Sequence, residues 1–149
     1  MNLDNLKWIK YVNDQGGKDW AYEEEKLHNI FPLNWKADQI ENAAKVQCGD
    51  LILLLQKGLV THLVEVSDDK PCKGDDSEWG VVRQVKVMWI ANLKDENCIP
   101  RQRDLFGYSH KGYAGGTVKK LEKLEDIPPT WHSLDIFRRH VAGLLRLTD

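Results

Sequence analysis

The chain has 149 residues, enough for one hydrophobic core and a single domain spanning residues 1–149. Its composition is ordinary for a soluble globular protein, and no apolar run approaches the roughly 20 residues of a membrane span, so no membrane partner is expected. The net charge of −2 is unevenly spread: residues through Glu78 carry 9 Lys+Arg against 15 Asp+Glu, and those from Trp79 onward carry 12 against 8.

A basic second half under a neutral total is compatible with a nucleic-acid-binding face, or with solvated surface charge in both halves. Cys48, Cys72 and Cys98 are far apart and odd in number, which fits neither a disulfide framework nor a paired-cysteine metal site. Reduced thiols in a cytoplasm are expected. The start, Met1-Asn-Leu-Asp4, lacks the basic and apolar regions of a signal peptide. No metal and no cofactor are expected.

In chain order, Trp8-Ile-Lys-Tyr-Val12 reads as a first strand, ended by Asn13-Asp-Gln-Gly-Gly17. Lys18 to Phe31 is polar, with the run Glu23-Glu24-Glu25, and reads as a loop or one helical turn. Asn34 can cap a helix from about Trp35 to Val46, with Ala37, Ile40 and Ala44 on one face. Gly49-Asp50 then launches a strand. With the turn at Lys57-Gly58 and the strand Val60 to Val66 it forms a hairpin. That hairpin is read as the centre of a small barrel, a shape that more often holds a ligand than performs chemistry.

Asp68 to Asp76 is an acidic loop with Pro71 and Gly74. In the long apolar stretch from Trp79 to Ala91, Val85, Val87 and Trp89 alternate with polar or larger neighbours, as in a strand. Asn92 to Asn97 is a turn, and Ile99 to Phe106 resembles a short helix entered at Pro100. A loop rich in glycine and aromatic residues, Gly107 to Gly116, precedes a closing strand, Gly116-Thr-Val-Lys-Lys-Leu121. After Pro128-Pro129, Ser133 caps a last helix with Leu134, Phe137, Val141 and Leu144 on one face.

This order of landmarks resembles the EVE domain, a branch of the PUA-like superfamily that also holds the YTH and ASCH domains. The matching pieces are Trp8 in the first strand, Trp35 before the Gly49-Asp50 strand, the Val60–Val66 strand, the acidic loop and the Trp79–Ile90 strand. Ile99-Pro100 with Leu105, and the closing strand, complete the match from about Trp8 to Leu124. The segment from Lys18 to Phe31 and the loop from Gly107 to Gly115 depart from it. The resemblance implies an α+β fold: a mixed, five- or six-stranded PUA-like pseudo-barrel with flanking helices. It implies a module that binds DNA or RNA and recognises a modified or flipped base in an aromatic pocket. Trp35 would be its principal wall, because the resembled family shapes its pocket there.

Six tryptophans are a high load for this length, and aromatic planes stack unpaired bases or pack a core. Trp20 and Trp79, in polar surroundings, could join Trp35. Trp89 reads as core. His62 shares a strand face with Val60, Val64 and Val66, either as a satisfied core histidine or as a partner for a base edge. Arg101, Arg103, Lys111, Lys119, Lys120 and Lys123 are interleaved with Phe106, Tyr108, His110 and Tyr113, a mixture suited to a phosphate backbone and its bases.

Catalytic motifs are missing: there is no G-x-S-x-G elbow, P-loop, H-E-x-x-H or Rossmann fingerprint, so no catalytic residue is expected. Two alternatives remain. One is an ASCH-like hydrolase of modified nucleosides using Lys57, Thr61 and Glu65. The other is a protein-interaction module using the last helix and binding no nucleic acid.

Overall fold

The computed structural model describes residues 1–12, 19–74, 77–106, 117–121 and 133–147. Within them the chain forms β1 (Leu6–Tyr11), β2 (Ile30–Trp35), α1 (Ile40–Ala44), β3 (Leu51–Gln56) and β4 (Leu59–Val66). There follow β5 (Cys72–Lys73), β6 (Val81–Ile90), α2 (Gln102–Phe106), β7 (Val118–Lys120) and α3 (Leu134–Leu144). The strands form one mixed sheet in the order β2-β6-β4-β3-β1-β7, with β5 also paired to β6. All these pairings are antiparallel except β1 with β3. No helix among the described residues is long and apolar enough to cross a membrane.

The sheet curls into a pseudo-barrel. Trp8 and Val12 on β1, Phe31, Leu33 and Trp35 on β2, and Val118 on β7 meet in one buried cluster with Ile52, Leu54, Val64, Val85 and Val87. Residues from both ends of the strand order can share a cluster only if the sheet folds back on itself. Asn42 of α1 fastens the seam. Its Oδ1 accepts hydrogen bonds from Trp35 Nε1 at 2.9 Å and from the Val118 backbone N–H at 2.8 Å, and its Nδ2 donates to the Val118 carbonyl at 3.2 Å. A second cluster lies outside the barrel, where Leu6, Ile9, Leu53, Leu55 and Leu63 meet Leu105 and Phe106 of α2 and Phe137 and Val141 of α3. Burial on both faces explains why β3 is apolar throughout its first five residues.

The central hairpin forms as expected. Lys57 and Gly58 have φ of 52° and 77°, the two positive values a type I′ turn requires, and this turn matches the twist of the flanking strands. The last helix is also as expected: the Ser133 side chain accepts from Ile136 N at 3.2 Å, and Phe137 and Val141 are buried.

Four local expectations are corrected. Trp35 does not open a helix, and Asn34 caps none: both belong to β2, in which Phe31, Leu33 and Trp35 point inward while Ile30 and Pro32 are exposed. Pro32 is tolerated because β2 is an edge strand and lacks a neighbour on one side. Downstream, a 3-10 turn over Ala37–Gln39 precedes α1, so the helical phase shifts; Ala43 and Val46 are buried, whereas Ala37, Ile40 and Ala44 are exposed. In β4 a register shift at Thr61 puts Val60 with the helix-side core while His62 stays on the barrel side with Val64 and Val66. In β6 a shift at Met88 takes Trp89 out of the Val85–Val87 alternation and places it half-buried on the other face. Each shift inserts one residue into a strand of period two, which reverses every side chain beyond it.

Candidate functional site

Strand register defines two ends of the barrel. β1 and β3 begin at one end, beside Asp50, where β2 finishes at Trp35 opposite Val81. The Lys57–Gly58 turn marks the other end, and α2 is tied to it by the Gln102 N–H, which donates to the Gly58 carbonyl at 2.8 Å. Trp35 and Trp79 lie at the Asp50 end. Trp20 lies at the Gly58 end, with Lys57 Nζ 4.6 Å from its ring centroid, so it cannot form a common wall with them.

Trp35 is wholly buried. Its Nε1 is committed to Asn42 and the Lys10 ammonium stands 4.8 Å from its ring centroid. A base could stack on this indole only by displacing Lys10 or opening the seam. Trp20 is 6% exposed, packed with Leu59, Ala91 and Ile99. Trp79 differs: it is half-buried, with Lys36 Nζ 5.5 Å from its centroid, and its carbonyl accepts from Asn34 Nδ2 at 2.8 Å. Among the four proposed ligand contacts, Trp79 alone keeps a partly open face.

His62 has no exposed surface and belongs to a buried polar chain. Gln56 grips Ala21 through both backbone groups, at 2.8 and 3.0 Å, and donates to Thr61 Oγ1 at 3.0 Å. Thr61 Oγ1 meets His62 Nδ1 at 2.9 Å, and His62 Nε2 meets the Tyr22 carbonyl at 3.2 Å. A carbonyl only accepts, so Nε2 carries the proton and Nδ1 accepts from Thr61; this tautomer is assigned from the network. Desolvation pushes the imidazole down to about pKa 4, outweighing the Tyr22 hydrogen bond. This is a neutral, satisfied core histidine. Lys10 is likewise pushed down to about 7 by burial.

The expected basic cluster divides. Arg101 and Arg103 are exposed at the Gly58 end, where Arg101 also bridges to Leu59. Lys120 lies at the Asp50 end, directly opposite Trp8. The backbone of Lys119 pairs with Ile9 in β7, and Lys111 and Lys123 fall outside the described residues. So does the loop from Gly107 to Gly116.

Lys7 and Arg138, neither of them singled out from sequence, join Lys120 and Leu134 around a pocket of about 220 Å³. A second hollow of about 360 Å³ at the Gly58 end is lined by Asp19, Trp20, Lys57, Leu93, Lys94 and Glu96, an equal mixture of acids and lysines. No local signal could have found Lys7 and Arg138, because residues 7, 120 and 138 meet only through the β1–β7 pairing and the docking of α3.

No protein-family model matches the chain, and no curated protein or solved structure is found to be similar to it.

Proposed function

We propose that the chain is a nucleic-acid-binding module that holds DNA or RNA at the Asp50 end of a PUA-like, EVE-type barrel. The carrying observation is the partly exposed Trp79 indole with Lys36 Nζ 5.5 Å from its centroid, where the ammonium also faces the exposed Glu78 carboxylate at 4.0 Å. An aromatic plane beside a cation is how single strands are bound: the ring stacks on a base and the ammonium attracts the adjoining phosphate. The landmark order shared with the EVE domain supports the same reading. A flipped or modified base would be read at this rim, because Trp35 and His62 are sealed inside. Three exposed free thiols, Cys48, Cys72 and Cys98, fit a reducing compartment such as the cytoplasm.

Neither alternative gains a specific observation. Thr61 is buried within the Gln56–His62 network, while Lys57 at the turn and Glu65 near the strand's other end are separated by most of β4. The apolar face of α3 is consumed by the outer core, so it is not held open for another protein.

Fluorescence anisotropy with labelled single-stranded DNA and RNA, unmodified and base-modified, tests the proposal. Trp79→Ala should weaken binding by roughly 1–3 kcal/mol, with Trp79→Phe retaining most of the affinity. Absence of binding by the wild-type chain at low salt, or equal affinity for Trp79→Ala, overturns it.

A further inference from the structure

We propose that the pocket framed by Lys7, Lys120 and Arg138 is a phosphate site. This rests on the nucleic-acid reading insofar as the phosphate belongs to a polymer. Three separate elements deliver the cations. Lys7 sits where the β1–β3 register slips between Leu6 and Trp8, and such a bulge re-aims its side chain. Lys120 extends from β7 opposite Trp8. Arg138 comes from α3, its side chain only 14% exposed, and its Nε is anchored on the Leu6 carbonyl at 3.0 Å.

The remaining guanidinium is loosely engaged. Nη1 reaches Asp135 Oδ1 at 3.3 Å, and Nη2 has no hydrogen-bond partner among the described residues. Asp135 is 74% exposed, so an incoming phosphate can exchange for it. Lys7 is 3.6 Å from Asp50 Oδ1, but the other oxygen of that buried carboxylate is held by Trp8 Nε1 and Gln47 N, both at 2.9 Å. All the charged side chains that line the pocket among the described residues are cationic, and the N-terminal turn of α3 adds to its field. At about 220 Å³ the space is below the roughly 300 Å³ at which pockets for whole small molecules begin, which suits a phosphoryl group rather than a complete nucleotide. It lies at the same end of the barrel as Trp79, so a strand stacked there could place a phosphate in it.

The test uses the full chain, inorganic pyrophosphate followed by calorimetry, and a labelled single-stranded oligonucleotide titrated across a range of KCl. In Lys7→Gln/Lys120→Gln, pyrophosphate affinity should fall at least about tenfold and the oligonucleotide salt slope should shrink by roughly 0.7 per lysine removed. Asp135→Asn, at an exposed position, should tighten pyrophosphate binding by freeing Arg138. Lys94→Gln, at the other end of the barrel, is the charge control. Lysine-dependent binding of pyrophosphate without oligonucleotide binding supports the site, assigns the phosphate to a small molecule and removes the proposed function. Oligonucleotide binding whose salt slope is unaltered in the double variant keeps the function and overturns the site. Failure of the wild-type chain to bind either probe overturns both.

Discussion

The Lys10 ammonium lies 4.8 Å from the centroid of the Trp35 ring, although β1 and β2 are four strands apart in the order of the sheet. The contact crosses the interior of the barrel, and it puts a charge where water cannot reach. Desolvation therefore lowers the Lys10 pKa from 10.5 to about 7, below its value in the unfolded chain. Between these values the unfolded state binds more protons, so stability should rise with pH. It should be lost as pH falls through about 7, with a slope of at most about 1.4 kcal/mol per pH unit. Urea unfolding of wild type and Lys10→Met between about pH 7 and 9.5 checks this; the slope should flatten in the variant. Work above pH 10 is confounded by Tyr22, which burial pushes up to about 12.

His62 gives the acid limb. Its pKa is lowered from 6.5 to about 4, so stability should fall as pH drops from about 6.5 through 4, by roughly 3 kcal/mol in all. The imidazole followed by NMR should show no midpoint above about pH 5. A midpoint between 6 and 7 would mean that the Gln56–Thr61–His62 chain is open to water.

Asn42 is the fastener between the two edge strands. Asn42→Leu keeps the size of the side chain but leaves Trp35 Nε1 and the Val118 N–H without their acceptor. Each buried unpaired donor costs about 1–3 kcal/mol, so thermal unfolding should show a loss of roughly 2–6 kcal/mol. A change below about 0.5 kcal/mol would show that the seam is closed by packing alone.

The hairpin turn isolates a backbone effect. At Gly58, φ is +77° and an added Cβ would have nothing within 4 Å, so Gly58→Ala introduces strain without a clash. A loss of about 1–2 kcal/mol is expected from denaturant unfolding. A larger loss would reveal a rearranged hairpin register.

How much of this was legible depends on whether the signal was local. The β3–β4 hairpin, β6, β7 and the Ser133-capped helix were visible because alternation, a two-residue turn and a capping side chain act over a few neighbours. β2 was hidden, since Pro32 and the acidic run before it mask the inward series Phe31, Leu33, Trp35. The slips at Thr61 and Met88 alter no composition, yet each decides which core receives the residues beyond it. The candidate site suffered most. Trp35 was read from its place before Gly49-Asp50 and proved to be interior, whereas Trp79 kept a half-open face.

By itself, the sequence determined a small α+β chain with a strand-rich centre, because hydrophobic periodicity and turn chemistry are properties of short segments. Only the tertiary structure decided which aromatic faces stay open and which cations converge. Closing the sheet buries Trp35 beneath Lys10, and the pairing of β1 with β7 under α3 brings positions 7, 120 and 138 to one pocket. Such convergence depends on contacts between residues more than a hundred positions apart, for which no local pattern exists.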